Sequence, residues 1–258
     1  MAGSQIVKQC VNLITKLLNG VSCCDLCASK LFNQDDERQV SSKVVAQSLV
    51  CHYCLDDLPY FKQDIINGNL LNWPAVYHAL PNIHFDRLFA LSPYIYPFDH
   101  WMTQLKYSGR FELAKLFAVL LVEQWQNINK HCGSIPVDLV VPVPLHIKKW
   151  QLRGFNQAHL IAKPFAKLLT LPYDDKLLQR VKHSDSQIGK TGSQRRKNLR
   201  NAFQMNAHSL NNIKHVVLID DVVTTGSTAS EVSKVLKSSG IVTVTLVTVC
   251  LALPTTNN

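Results

Sequence analysis

Residues 216–228 read Val216-Val-Leu-Ile-Asp-Asp-Val-Val-Thr-Thr-Gly-Ser-Thr228, and their order decides the fold. Four apolar residues make a buried strand. Two adjacent carboxylates, Asp220 and Asp221, end it, and a short loop of hydroxyls with one glycine leads into a helix over 227–239. In an open parallel sheet, ligands bind beyond the carboxyl ends of the strands, where this loop falls. Backbone N–H groups, the hydroxyls of Thr224, Thr225, Ser227 and Thr228, and the positive end of the helix converge on one point. That arrangement suits a phosphate dianion. Gly226 lets the backbone approach closely or take a positive φ.

A phosphate does not call for two carboxylates, whereas ribose hydroxyls donate hydrogen bonds to them. The constellation therefore reads as a site for a ribose 5-phosphate. It is not a Walker loop, because G-x-x-x-x-G-K-[ST] is absent, and no G-x-G-x-x-G follows a strand. Working outward, the same rhythm recurs. Residues 88–91 and 138–143 are strand-like, 112–125 and 156–169 read as helices with Pro164 inside the second, and 241–250 is a β-branched strand. Uniform apolar runs alternating with helices predict an α/β fold, a parallel sheet covered on both faces.

The amino-terminal part differs. Cys24-Asp-Leu-Cys27 and Cys51-His-Tyr-Cys54 are two C-x2-C units separated by 23 residues. Two thiolates on each tight turn can reach one tetrahedral ion, so Cys24, Cys27, Cys51 and Cys54 predict a closed, structural Zn²⁺ site. Cys23 and His52 stand beside the ligands as weaker substitutes. Cys10, Cys132 and Cys250 read as small buried hydrophobes. The expected organisation is an amphipathic helix over 1–20, a zinc module over 21–84, the sheet domain over 85–253 and a disordered tail over 254–258.

The 216–228 segment resembles the 5-phosphoribosyl-1-pyrophosphate (PRPP) motif of type I phosphoribosyltransferases. The chain as a whole resembles the ComF/GntX family of competence proteins. The resemblance is carried by the Cys-pair module, Leu105-Lys-Tyr-Ser-Gly109, Val141-Pro-Val-Pro-Leu145, Arg153-Gly-Phe-Asn-Gln157 and Gln194-Arg-Arg-Lys-Asn-Leu-Arg200. It implies a phosphoribosyltransferase-like sheet flanked by helices. Asp220 and Asp221 would hold the ribose hydroxyls of PRPP with Mg²⁺ nearby, and residues 224–228 the 5-phosphate. Pro144 and Leu145 would form the turn facing pyrophosphate, with Arg153 near it and Lys106 as a further cation. A flexible hood over 184–200 would bring Arg195 and Arg196. Purine-salvage members of the superfamily place an Asp where Thr224 stands, so salvage of hypoxanthine or guanine is not expected. The family association implies DNA uptake or use of external DNA. Two readings stand: phosphoribosyl transfer to an unidentified acceptor, or a non-catalytic PRPP or nucleotide sensor and DNA-binding adaptor.

Charge bears on that choice. The chain has 258 residues, a formal net charge of +9 and 17% charged residues. Between 176 and 200, Lys176, Arg180, Lys182, Lys190, Arg195, Arg196, Lys197 and Arg200 face one acid, Asp185. Such a strip fits a hood closing over pyrophosphate or the phosphates of single-stranded DNA; a DNA-uptake protein is a further candidate partner. His146, His159, His183 and His208 have no legible role, and the tryptophans read as packing residues. With 47% hydrophobic residues a real core is expected, while the longest apolar run, 116–122, is far below the roughly 20 residues that span a bilayer. No signal peptide is legible, and a cytoplasmic protein is expected.

Overall fold

The structure is a computed structural model. It describes residues 23–31, 49–62, 64–133, 136–181, 201–206 and 212–252. The helix expected over 1–20, the hood with Arg195 and Arg196, and the tail lie outside the described residues. The chain divides between Leu58 and Pro59 into two compact units. The division falls earlier than the expected boundary at 84/85.

In the second unit the described elements are β1 Arg87–Pro93, β2 Leu139–Pro142, β3 Leu178–Arg180, β4 Phe203–Met205, β5 His215–Val223 and β6 Thr243–Leu251. Between them run helices, numbered after the short α1 His52–Asp56 of the first unit. These are α2 Pro74–Ala79, α3 Phe98–Tyr107, α4 Glu112–Cys132, α5 Ile147–Arg153, α6 Gln157–Leu168 and α7 Ser227–Ser238. Four strands form a parallel sheet in the order β1-β6-β5-β2. The expected α/β architecture is present, with helices on both faces. β3 and β4 form a small antiparallel pair that their short, mixed sequences do not announce.

Alternation along each strand sends its side chains to opposite faces. Leu88 and Ala90, Leu139 and Val141, Val216 and Leu218, and Val244 and Leu246 share one cluster with Ala229, Val232 and Leu236 of α7. Leu70, Val76 and Leu80 belong to the same cluster. This is why residues 59–84 go with the sheet rather than with the cysteine pairs: the segment is polar in sum, but its few aliphatic side chains complete one layer of the core. On the other face α6 packs along β5 and β2, and α4 against α6 and β1. There Trp125 meets Phe89 edge-on at 5.7 Å and Phe165 at 6.2 Å. Gly68, at φ +64°, lies where an added Cβ would run into Ile128 of α4, a close approach only glycine permits.

Asn156 caps α6, its side-chain oxygen accepting from the Ala158 N–H at 3.1 Å. Pro164 sits inside that helix without ending it. Asp138, ahead of β2, accepts from the Lys214 and His215 N–H groups at 2.8 Å each, so its carboxylate anchors the start of β5. Those bonds hold the Asp138 carboxyl below its ordinary range. Two packing expectations are corrected. Trp101 and Trp125 are buried, but Trp73 and Trp150 are 45% and 51% exposed. Cys250 is buried in β6, while Cys132 is exposed as the last residue of α4. Among the described residues, no helix is long and apolar enough to cross a membrane.

Candidate functional site

The acidic pair lies within β5, since the strand runs on to Val223. The Asp221 carboxylate receives the Lys106 ammonium at 2.8 Å. Lys106 is in the last turn of α3, and its neighbour Tyr107 accepts a hydrogen bond at 2.9 Å from Arg153 of α5. The Arg153 guanidinium also lies over the Tyr107 ring, 4.9 Å from its centre, and donates to Gln157 at 3.2 Å. One helix end thus orients two cations expected at the site, Lys106 and Arg153.

Burial pushes the Asp220 carboxyl up to about 8, reinforced by the Asp221 charge beside it. Burial acts on Asp221 in the same sense, but Lys106 overrides it and holds that carboxyl low. Two adjacent carboxyls have therefore been split into an ion-paired anion and an acid that keeps its proton near neutrality. Lys149, which the sequence reading did not single out, belongs to the same electrostatic cluster. Its side chain is exposed, yet partial burial among its neighbours, then Arg153 and Lys106, hold its ammonium below the usual lysine range. Asp221 and Asp220 pull the other way. The signal that could have found it is its spacing: four residues before Arg153, it shares that residue's face of α5.

The hydroxyl loop follows. Gly226 takes φ +63° and caps α7. Thr225 and Ser227 hydroxyls bond each other at 2.8 Å. Thr225, Ser227 and Thr228 are half-buried, while Thr224 is exposed. The φ of Gly226 turns the chain so that the first N–H groups of α7 follow these hydroxyls directly. Pro144 and Leu145 follow β2. The Val143 N–H donates to the Ile219 carbonyl at 2.8 Å, and Asn156 Nδ2 donates to the Val143 carbonyl at 3.0 Å. The turn is thereby held one strand over from the acidic pair, with Arg153 bonded elsewhere, to Tyr107 and Gln157.

In the first unit, the sulfur atoms of Cys24, Cys27, Cys51 and Cys54 all lie within 4.8 Å of one another. Neither Cys23 nor His52 joins this group. Cys24 and Cys27 lie on one turn, closed by the Ala28 N–H on the Cys24 carbonyl at 2.9 Å, and Cys51 stands at the start of α1. The Asp25 N–H bonds the Leu49 carbonyl at 2.9 Å, tying the two turns together. The Cys27 and Cys51 sulfurs are 3.7 Å apart. A tetrahedral ion with bonds of about 2.3 Å requires sulfur edges of about 3.8 Å. Four thiols at this spacing, with no carboxylate among them, have the softness and count that suit zinc and could hold it. Hydrogen bonding from Ser29 lowers the exposed Cys27 thiol to about 6, so a thiolate is available at neutral pH.

A parallel α/β sheet with an acidic pair and a hydroxyl loop on a central strand, preceded by a four-cysteine module, defines the class of protein. Over 195 residues the chain is 33% identical to Competence protein F of Haemophilus influenzae, covering 74% of this chain and 80% of that protein. It is 34% identical over 168 residues to the DNA utilization protein YhgH of Salmonella typhi, covering 65% of this chain and 73% of that one. Competence protein ComFC of Streptococcus pneumoniae is 27% identical over 151 residues, 58% and 62% of the two chains. No family model matches the chain. The chain belongs to the ComF family of competence proteins.

Proposed function

We propose that the carboxyl end of β5 binds PRPP, in a protein that serves competence and the use of external DNA. The observation that carries the ligand is the juxtaposition on one strand–loop–helix of Asp220, Asp221 and the Thr225-Gly-Ser-Thr228 loop. The names of the relatives, Competence protein F and DNA utilization protein, support the biological role. In this reading the hydroxyl loop and the start of α7 hold the 5-phosphate. Asp220 and Asp221 accept from ribose hydroxyls, and the 143–145 turn with Lys106, Lys149 and Arg153 faces pyrophosphate. Mg²⁺ would arrive with the pyrophosphate and offset part of its charge.

Transfer breaks the bond between ribose C1 and the pyrophosphate oxygen and makes one from C1 to the acceptor. The cations around Asp221 would stabilise the charge that collects on the departing pyrophosphate. A second reading, sensing without transfer, is favoured by Thr224. The residue at that loop position is an exposed hydroxyl that cannot act as a base near neutral pH. Zinc on the four cysteines has a structural role in both readings.

Calorimetric titration with PRPP and Mg²⁺, followed by pyrophosphate detection in the presence of a panel of acceptors, decides between them. Saturable binding with pyrophosphate release supports transfer. Binding without release supports sensing, and no binding overturns the ligand assignment.

A further inference from the structure

His159 has no legible role in the sequence, and the fold gives it partners. It sits in the first turn of α6. Its Nδ1 lies 2.8 Å from the Tyr173 hydroxyl and 3.2 Å from an Asp175 carboxylate oxygen. Tyr173 stays a neutral phenol: burial raises its pKa, and the neighbouring Asp175 and Asp174 charges add to the effect. A carboxylate beside Nδ1 calls for a proton on that nitrogen. In the neutral ring Nε2 is then the acceptor, and with Nδ1 engaged it is the nitrogen left to meet an occupant.

His159 and Asp175 line a cavity of about 510 Å³ at the outer edge of β2, together with Leu145, Trp150, Phe155 and Leu160. That volume lies in the range of small-molecule sites, and the cleft is open to solvent on one side, its wall mixing the aromatic Trp150 and Phe155 with the polar His159, Asp175 and Asn156. Phe155 is braced edge-on by Phe111, with ring centres 4.8 Å apart. Trp150 is half-exposed on α5, next in the chain to Lys149 of the cationic cluster.

We propose that this cavity is a binding site for a free nucleobase-sized heteroaromatic ring, stacked against Trp150 and Phe155 with a ring N–H donated to His159 Nε2. Asp175 is a positioning residue that sets the imidazole tautomer. The site is distinct from the acidic pair and does not rest on the ribose-phosphate reading. A planar ring fits because Trp150 and Phe155 line the wall, and an N–H donor fits because His159 Nε2 and the Asp175 carboxylate are acceptors.

The test is calorimetric titration of the intact zinc-loaded protein with adenine, cytosine and uracil, in the absence of PRPP, with cyclohexanol as a non-planar apolar control. Saturable binding of at least one base, and none of cyclohexanol, is expected. Trp150→Ala, a surface change that leaves the fold intact, should weaken it about ten-fold or more, the range for loss of one stacking partner. His159→Ala should weaken it by a similar factor, and His159→Gln, which keeps the volume and a polar head, by less. Quenching of tryptophan fluorescence on binding should vanish in Trp150→Phe. No saturable binding of any base up to its solubility overturns the proposal, as does unchanged affinity in both Trp150→Ala and His159→Ala.

Discussion

The described parts of the two units are held together by different means. The described part of the first unit buries little: Val50, Leu58 and Cys24 are its enclosed side chains. Its order comes from two turns, one interturn backbone bond and four converging thiols. The second unit buries Phe89, Phe98, Trp101, Phe117 and Phe165 almost completely, in layers on both faces of a parallel sheet. A short segment cannot remove enough apolar surface from water to offset its chain entropy, whereas a longer one can. The contrast separates stability that a metal can supply from stability that burial supplies.

Removing the metal is the strongest way to sharpen that contrast. Zinc bound to four thiolates contributes an apparent binding energy of about 10–16 kcal/mol in small zinc domains. Chelation, or Cys51→Ser, should abolish amide protection in 23–31 and 49–58 while the sheet unit melts at its original temperature. Protection that survives in the metal-stripped protein would break the comparison. The reciprocal change is Trp125→Ala, which empties the space between Phe89 and Phe165. It should cost the sheet unit about 3–5 kcal/mol in chemical denaturation, and elemental analysis should still find one zinc per chain.

A smaller effect tests the site. Asp221→Asn should weaken PRPP binding by about 1.5–3 kcal/mol, the range for hydrogen bonds to charged groups, and Asp220→Asn, at an acid that keeps its proton near neutrality, by only about 0.5–1.5 kcal/mol. Binding of inorganic phosphate should change much less, because the hydroxyl loop is untouched. Equal loss for both ligands by calorimetry would refute the ribose assignment.

The smallest effects are in pH, and here two aspartates of one sheet should differ in sign. The Asp138 carboxyl is held below its unfolded value, so it stabilises the fold above about pH 4. That contribution is lost as pH falls through its depressed folded value. Asp138→Asn should therefore narrow the stability difference between pH 7 and pH 3. The Asp220 carboxyl is raised to about 8, so its ionisation opposes folding progressively as pH rises from about 4 to 8. Asp220→Asn should relieve this, and the relief should grow with pH until about pH 8. Denaturation curves across that range check both. A gain that shrinks with rising pH would contradict the burial of Asp220.

The parts legible in the sequence were those written in contiguous residues. The strand–loop–helix at 216–228 shows its apolar run, its acids and its hydroxyls in chain order, because a βα turn is local. The two C-x2-C units are legible for the same reason, since each turn presents two ligands by itself. Pairwise partnership over long separations was not legible. Lys106 finds Asp221, Tyr107 finds Arg153, and His159 finds Tyr173 and Asp175 only after α3, α5 and α6 have docked on the sheet. The polar 59–84 segment joins the sheet unit because Leu70, Val76 and Leu80 fit one layer of its core. Composition averages such side chains away, but burial depends on where each one lands. Likewise, two identical carboxyls in sequence carry no sign of which one ionises. Only the tertiary position of one lysine makes Asp221 the anion and leaves Asp220 the acid, because charge in a buried site is decided by the nearest counter-charge and the water excluded around it.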